Sequence, residues 1–180
     1  MFREKLIHIF YSAATGSSRT RILLTPIGPL VFFGFIAGTI AASLWVDRRY
    51  SLPGLLDYPV NYMVYVPLLI GGSFLTAWSV LSFLKQKGTP VPFNPPPELV
   101  VTGPYAYSRN PMLTGLFLVL FGTGVLLGSI SMVLFFTPLF VALMVWELKA
   151  VEEPELERRL GQDYIDYRKR VGMFVPGFKR

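Results

Sequence analysis

The chain predicts an all-α integral membrane protein with about four transmembrane helices, a tight C-terminal helical hairpin and a cytosolic helical tail. Three observations carry that expectation. The 180 residues are 52% hydrophobic and only 16% charged, with a mean hydropathy of +0.49, whereas charged residues make up about a quarter of an ordinary soluble domain. Four apolar runs stand out, at residues 27–46, 60–84, 112–127 and 130–146, and a helical span needs roughly 20 residues. Lysine and arginine are distributed unevenly around those runs. Four lie in the N-terminal arm (Arg3, Lys5, Arg19, Arg21), three between the second and third runs (Lys85, Lys87, Arg109) and eight in the tail, against Arg48 and Arg49 alone after the first run. The excess of positive residues on the cytosolic side then puts both termini inside.

In order, residues 1–26 form a cytosolic arm, partly amphipathic through Leu6, Ile7, Ile9 and Phe10. The first apolar run starts too late and runs too long for a cleaved signal peptide. Residues 27–84 hold two transmembrane helices joined by a short outer loop, in which Asp47 and Asp57 oppose the two arginines. Residues 85–111 form a cytosolic proline-rich loop, and its Thr89–Pro97 stretch favours an extended, semi-rigid path over a helix. Residues 112–149 are a transmembrane hairpin turning at Gly128-Ser129, and residues 150–180 are the cytosolic helical tail. The whole reads as a single membrane domain without repeats.

Pro154 is expected to end the fourth helix, because the residue before a proline disfavours helical geometry. A new helix should then run to a glycine cap at Gly161. Beyond it, Tyr164, Tyr167 and Val171 share one face, the spacing of an interfacial helix anchored by tyrosines.

The composition excludes some chemistry. With no cysteine there is no disulfide, thiolate nucleophile or cysteine-ligated metal, and the lone His8 has no partner for a metal pair, so no metal site is expected. The basic surplus flanks membrane runs and forms no nucleic-acid platform. Anionic lipid headgroups suit it better.

Chemistry concentrates at Thr102–Gly115, a polar, turn-rich segment running straight into an apolar helix. Polar residues near a bilayer are costly unless they serve something. Asn110 suits a helix cap and Pro111 a first helical position. The N–H groups of that helix start, with Arg109 beside them, suit an anionic group; the plain alternative is a well-capped helix with an anchoring arginine. Glu152 and Glu153 suit a cation, or form a solvated pair in which Lys149 reaches Glu153 four residues on. Gly122-Thr-Gly124 suits close helix packing, and without a preceding strand it is no nucleotide fingerprint.

The order of these features is more telling than any one of them. Residues 102–115, then a glycine-interrupted hairpin, then Glu147, Glu152-Glu153, Leu156, Gly161, Tyr164 and Tyr167 resemble the isoprenylcysteine carboxyl methyltransferases and the related phospholipid methyltransferases. The resemblance covers roughly residues 91–178. It implies an integral membrane enzyme that uses S-adenosyl-L-methionine on the cytosolic side and takes a lipophilic or small acceptor at the membrane. By the same resemblance Glu98, Leu99, Val100, Tyr105, Asn110, Pro111, Met112, Leu113, Glu152 and Glu153 contact the cofactor, and Gly122 and Gly124 match a cofactor element of the phospholipid branch. Two departures stand out. Asn110 replaces a frequent histidine and Leu113 a tyrosine, which puts a general base there in doubt. Leu148 stands where the isoprenylcysteine enzymes place an arginine, which implies either that Arg109 or Lys149 is the catalytic cation handling an acceptor carboxylate or that the acceptor is another one.

A carboxylate acceptor is already nucleophilic, whereas an amine must first lose a proton, and no poised histidine is visible to take it. The expected activity is therefore methylation of a carboxylate or similarly deprotonated acceptor. A phospholipid amine N-methyltransferase and a non-enzymatic membrane scaffold or lipid-binding protein are the alternatives. A transporter is disfavoured, since the first two spans have no buried charge and no repeat partner.

Overall fold

The computed structural model of the chain describes residues 2–17, 19, 25–86, 88, 89, 91, 95, 96 and 98–175. Pro90, Pro92, Phe93, Asn94 and Pro97 of the proline-rich loop lie outside the described residues, as do Arg21, Lys87, Lys179 and Arg180 of the basic set. Helices α1 (Phe2–Thr15), α2 (Ile27–Arg49), α3 (Val60–Lys85), α4 (Pro111–Leu126), α5 (Met132–Leu160) and α6 (Gln162–Arg170) follow in order, with a 3-10 turn at Gly103–Ala106 before α4. No strand occurs among the described residues, whose only β pairings are the isolated bridges Gly54–Ser129 and Ser108–Gly172.

The fold is all-helical, as expected. Helices α2, α3 and α5 are each long and apolar enough to cross a membrane, and α4 is a shorter apolar helix. Large apolar side chains stay uncovered along all three long helices, among them Phe33, Trp45, Met63, Ile70, Phe74, Leu134 and Phe135. So much exposed apolar surface would be a liability in water and suits lipid.

The chain divides into two compact units. The hairpin unit comprises Phe32–Ala77 and Met112–Met144. Phe140 is buried at its centre, with its ring 5.2 Å from that of Phe35 and edge-on to Phe32 and Phe117. The turn between α4 and α5 falls at Gly128, whose φ of +63° is one that glycine adopts without strain. Asp47 then accepts from the hydroxyl of Ser129 and, at 3.2 Å, from the main-chain N–H of Ser131. A carboxylate from α2 thereby satisfies orphan donors at the start of the following helix.

The site unit comprises Met1–Val31, Trp78–Pro111 and Val145–Arg180. Here α5 does not end at Pro154, which corrects the expected break. Its last turns pass through a π-helical stretch, Leu148–Glu152, and continue helically through Glu153–Leu160, with Pro154 in the opening turn of that last stretch. A proline there has no N–H to offer the carbonyl four residues back, and Nε of Arg3 donates to that Ala150 carbonyl at 2.7 Å instead. The π register also undoes the expected Lys149–Glu153 pair. Lys149 is exposed, and Glu153 pairs with Arg109 and Arg168.

Candidate functional site

The site unit holds an open-mouthed cavity of about 110 Å³. Its wall is assembled from five places in the sequence: Phe83 near the end of α3, the stretch ending in Glu98-Leu99-Val100, the 3-10 turn with Tyr105 and then Arg109-Asn110, the last turns of α5, and Tyr164 and Tyr167 of α6.

Local sequence explains how each part is held. Gly103 takes a φ of +63°, and a Cβ there would come within 2.9 Å of the Ser82 hydroxyl, so a glycine lets the turn lie against α3. That places Tyr105 edge-on to Phe83, with ring centroids 5.1 Å apart. Residues 108–110 are stitched to the chain beyond α6. The N–H of Arg109 donates to the Gly172 carbonyl at 2.9 Å, and the Asn110 N–H and the Ser108 hydroxyl donate to the Met173 carbonyl at 3.1 and 3.0 Å. Pro111 opens α4 as expected, and the Asn110 amide also donates to Met173.

Two ionic arrangements face the cavity. Arg109 Nη1 donates to Glu153 in an ion pair whose side chains are each 11% exposed, and Arg168 reaches the other oxygen of Glu153 at 3.7 Å. Arg159 Nε donates to Glu155 at 2.9 Å. Glu152 lies between these pairs and has neither hydrogen bond nor ion pair among the described residues. Arg109 Nε is buried and likewise without an acceptor. A buried donor without a partner is costly, so the site holds one unmatched donor and one unmatched carboxylate.

Tyr164 and Tyr167 are 3% and 4% exposed, which corrects the interfacial-anchor expectation. The Tyr167 hydroxyl donates to the Tyr105 carbonyl at 2.7 Å, and the Tyr164 hydroxyl lies 3.5 Å from Arg109 Nη1. Their spacing read as a lipid-facing stripe because a buried polar-tipped face and an interfacial one share the same period. Burial, foremost, pushes the phenols of Tyr105, Tyr164 and Tyr167 well above the usual range, and the Glu153 charge raises Tyr164 further. All three stay neutral near pH 7.

Of the expected site residues, Glu98, Leu99, Val100, Tyr105, Arg109, Asn110, Glu152 and Glu153 line the one cavity. Pro111 is buried outside its lining. Lys149 is exposed and does not line it. Met112, Leu113, Gly122 and Gly124 belong to the hairpin unit. There a Cβ on Gly122 would meet Leu68 Cβ at 3.1 Å, and one on Gly124 would meet Val133 at 2.8 Å, so neighbouring side chains fill both glycine faces. Glu155 and Arg159, which the sequence did not single out, line the cavity. Leu148, noted only for standing in an arginine's place, is buried in the wall. The helical spacing of 148, 152, 155, 156 and 159 marks one face and is the signal that finds them.

The comparisons with known proteins bear on this arrangement. The family model described as phospholipid methyltransferase matches residues 60–163, more than half of the chain. The chain belongs to the phospholipid methyltransferase family. A curated relative, the protein-S-isoprenylcysteine O-methyltransferase of Schizosaccharomyces pombe, is 35% identical over 82 residues, which are 43% of this chain and 33% of that protein. The chain thus aligns with about a third of that relative's length. No solved structure matches. With its apolar helices, this member of the family is a multi-pass membrane protein.

The residues in the cavity fit the methyl donor of such a family. A donor that carries a carboxylate and an ammonium would meet complementary groups there, the Arg109 guanidinium with its unpartnered Nε and the Glu152 carboxylate.

Proposed function

We propose that this protein is an S-adenosylmethionine-dependent methyltransferase of the membrane, acting on a lipophilic or small acceptor at the cytosolic face. The observation that carries the reading is the juxtaposition, in the lining of one cavity of a chain of this family, of the Arg109 guanidinium, whose buried Nε has no acceptor among the described residues, and the half-buried Glu152 carboxylate. The crowding of basic residues beside both termini supports the cytosolic side.

When bound, the donor supplies an electrophilic methyl group on a sulfonium sulfur. Glu152 would hold its ammonium and Arg109 its carboxylate, while Glu153 and Tyr164 keep the Arg109 guanidinium in place. Phe83 and Tyr105 offer ring surface to its adenosyl part. The phenols of Tyr105, Tyr164 and Tyr167 stay neutral and take no proton; the Tyr167 hydroxyl donates to the Tyr105 carbonyl and the Tyr164 hydroxyl accepts from Arg109. In-line displacement needs close, aligned reactants, so most of the acceleration comes from positioning. Lys149 is exposed and outside the lining, so Arg109 and Arg159 are the cations with which the cavity would meet an acceptor carboxylate.

The acceptor on this reading is a group that is already deprotonated, such as the carboxylate implied by the name of the fission-yeast relative. A second reading, a phospholipid amine, draws on the description of the family and on the charge of the lining. Glu98, Glu152, Glu153 and Glu155 outnumber Arg109 and Arg159 there.

Titrating S-adenosylhomocysteine into detergent-solubilised protein tests the donor site, and absence of binding heat overturns it. Labelled methyl transfer, offered in parallel to a prenylcysteine analogue and to phosphatidylethanolamine, tests the acceptor. Label in the amine lipid alone selects the second reading.

A further inference from the structure

We propose that α1 is a positioning element of the donor site and that Arg3 is its positioning residue, an inference that rests on the cavity's role given above. Three features meet at one stretch of α5. Leu148–Glu152 is π-helical, a rare register that is frequent at functional sites. Pro154 removes the N–H that would serve the Ala150 carbonyl. Arg3, 147 residues away in sequence, donates to that carbonyl at 2.7 Å. A charged donor on a carbonyl that lacks its regular helical partner fastens the π stretch from outside its own helix.

The same five residues set the cavity wall. Leu148 and Glu152 line it, and Val151 is almost fully buried among its neighbours. On α1, Ile7, Ala13 and Ala14 are buried. A second fastening lies further along the helix, where the Arg158 guanidinium stacks 4.6 Å from the centre of the Tyr11 ring. α1 is therefore fixed to α5 on either side of Glu152, through Ala150 and through Arg158. Releasing Arg3 lets the π stretch relax, which moves the Glu152 carboxylate without removing any group that touches the donor. Displacements of about 1 Å are enough to lose substantial rate or affinity.

The test uses the full chain in detergent with Arg3→Met, which keeps the apolar stem and removes the donors, and Arg3→Lys, which keeps a donor. Arg3→Met should raise KM for the methyl donor about tenfold, the scale of one charged hydrogen bond. Its kcat should stay within about twofold. Deuterium exchange at the amides of residues 148–153 should rise, and Arg3→Lys should restore most of both. A plain structural strap would lower Tm without that split. Unchanged KM and exchange in Arg3→Met, or identical behaviour of the two variants, overturns the proposal. Should Arg3→Met fail to fold, Tyr11→Leu releases the second fastening alone; higher exchange over 148–153 then supports the proposal and unchanged exchange overturns it. If the wild-type protein transfers no methyl group, the methyltransferase reading falls, and the exchange comparison alone still decides whether Arg3 holds the π stretch.

Discussion

The phenol of Tyr167 donates a 2.7 Å hydrogen bond to the main-chain carbonyl of Tyr105, and both residues are buried. The bond ties α6 to the 3-10 turn that leads into Arg109, so one contact fixes two walls of the cavity. Tyr167→Phe keeps the ring and leaves the carbonyl unsatisfied. The expected cost is about 1–2 kcal/mol of stability, read as a lower Tm in detergent, with weaker S-adenosylhomocysteine binding beside it. An unchanged Tm would mean that water replaces the phenol.

Arg109 and Glu153 form an ion pair whose side chains are each 11% exposed. Removing one partner of such a pair leaves a buried charge, so Arg109→Met or Glu153→Leu alone should destabilise by about 3–5 kcal/mol. The double variant replaces both charges with apolar groups and should recover much of that loss. Donor binding should not return, because the Arg109 guanidinium is gone. Chemical denaturation of all four proteins alongside a binding titration separates the two effects.

The raised phenols carry a pH consequence. A group whose folded pKa lies above its unfolded value stabilises the fold below the unfolded value and ceases to do so as pH climbs past it. Tyr105, Tyr164 and Tyr167 are all raised by burial, above an unfolded value of about 10. Stability should therefore fall as pH rises beyond about 10. Tyr164→Phe should flatten that fall in a Tm-against-pH series.

The parts legible in the sequence are those governed by near neighbours. The apolar runs, the Gly128-Ser129 turn and Pro111 at a helix start depend on periodicity and local backbone preference. The pairing of the Glu98–Asn110 region with Glu152 and Glu153 was visible only through the order of motifs. Three features were not legible. The Arg109–Glu153 pair spans 44 residues, and its rival, Lys149 four residues from Glu153, looks better by spacing alone. Pro154 reads as a terminator because no local rule announces a π stretch or an arginine 147 residues away on Ala150. Tyr164 and Tyr167 have the period of a membrane-facing stripe, and only tertiary packing decides what covers such a face.

The glycines of α4 offer a test that divides packing from binding. A Cβ on Gly115 would come within 2.5 Å of the Gly72 carbonyl oxygen, a backbone atom that cannot swing aside. Gly115→Ala should cost about 1–3 kcal/mol and lower Tm with no change in donor KM. Gly122→Ala meets Leu68 Cβ at 3.1 Å, a milder crowding, and should lower Tm less. If Gly122→Ala instead raises donor KM at unchanged Tm, the glycine acts on the donor and the packing account of that face fails.

Glu152→Gln isolates the carboxylate that has no protein partner among the described residues. Gln keeps the shape of the side chain and removes the charge. A group that pairs with nothing in the fold should cost little stability when neutralised, so Tm should stay within about 1–2 °C, a shift of less than 1 kcal/mol. If Glu152 holds the donor's ammonium, affinity for S-adenosylhomocysteine should fall by about 10- to 100-fold, the scale of a charged hydrogen bond of 1.5–3 kcal/mol. The opposite pattern, a large Tm change with affinity intact, would assign Glu152 to folding and move the search for the ammonium partner to Glu98 or Glu155 on the same wall.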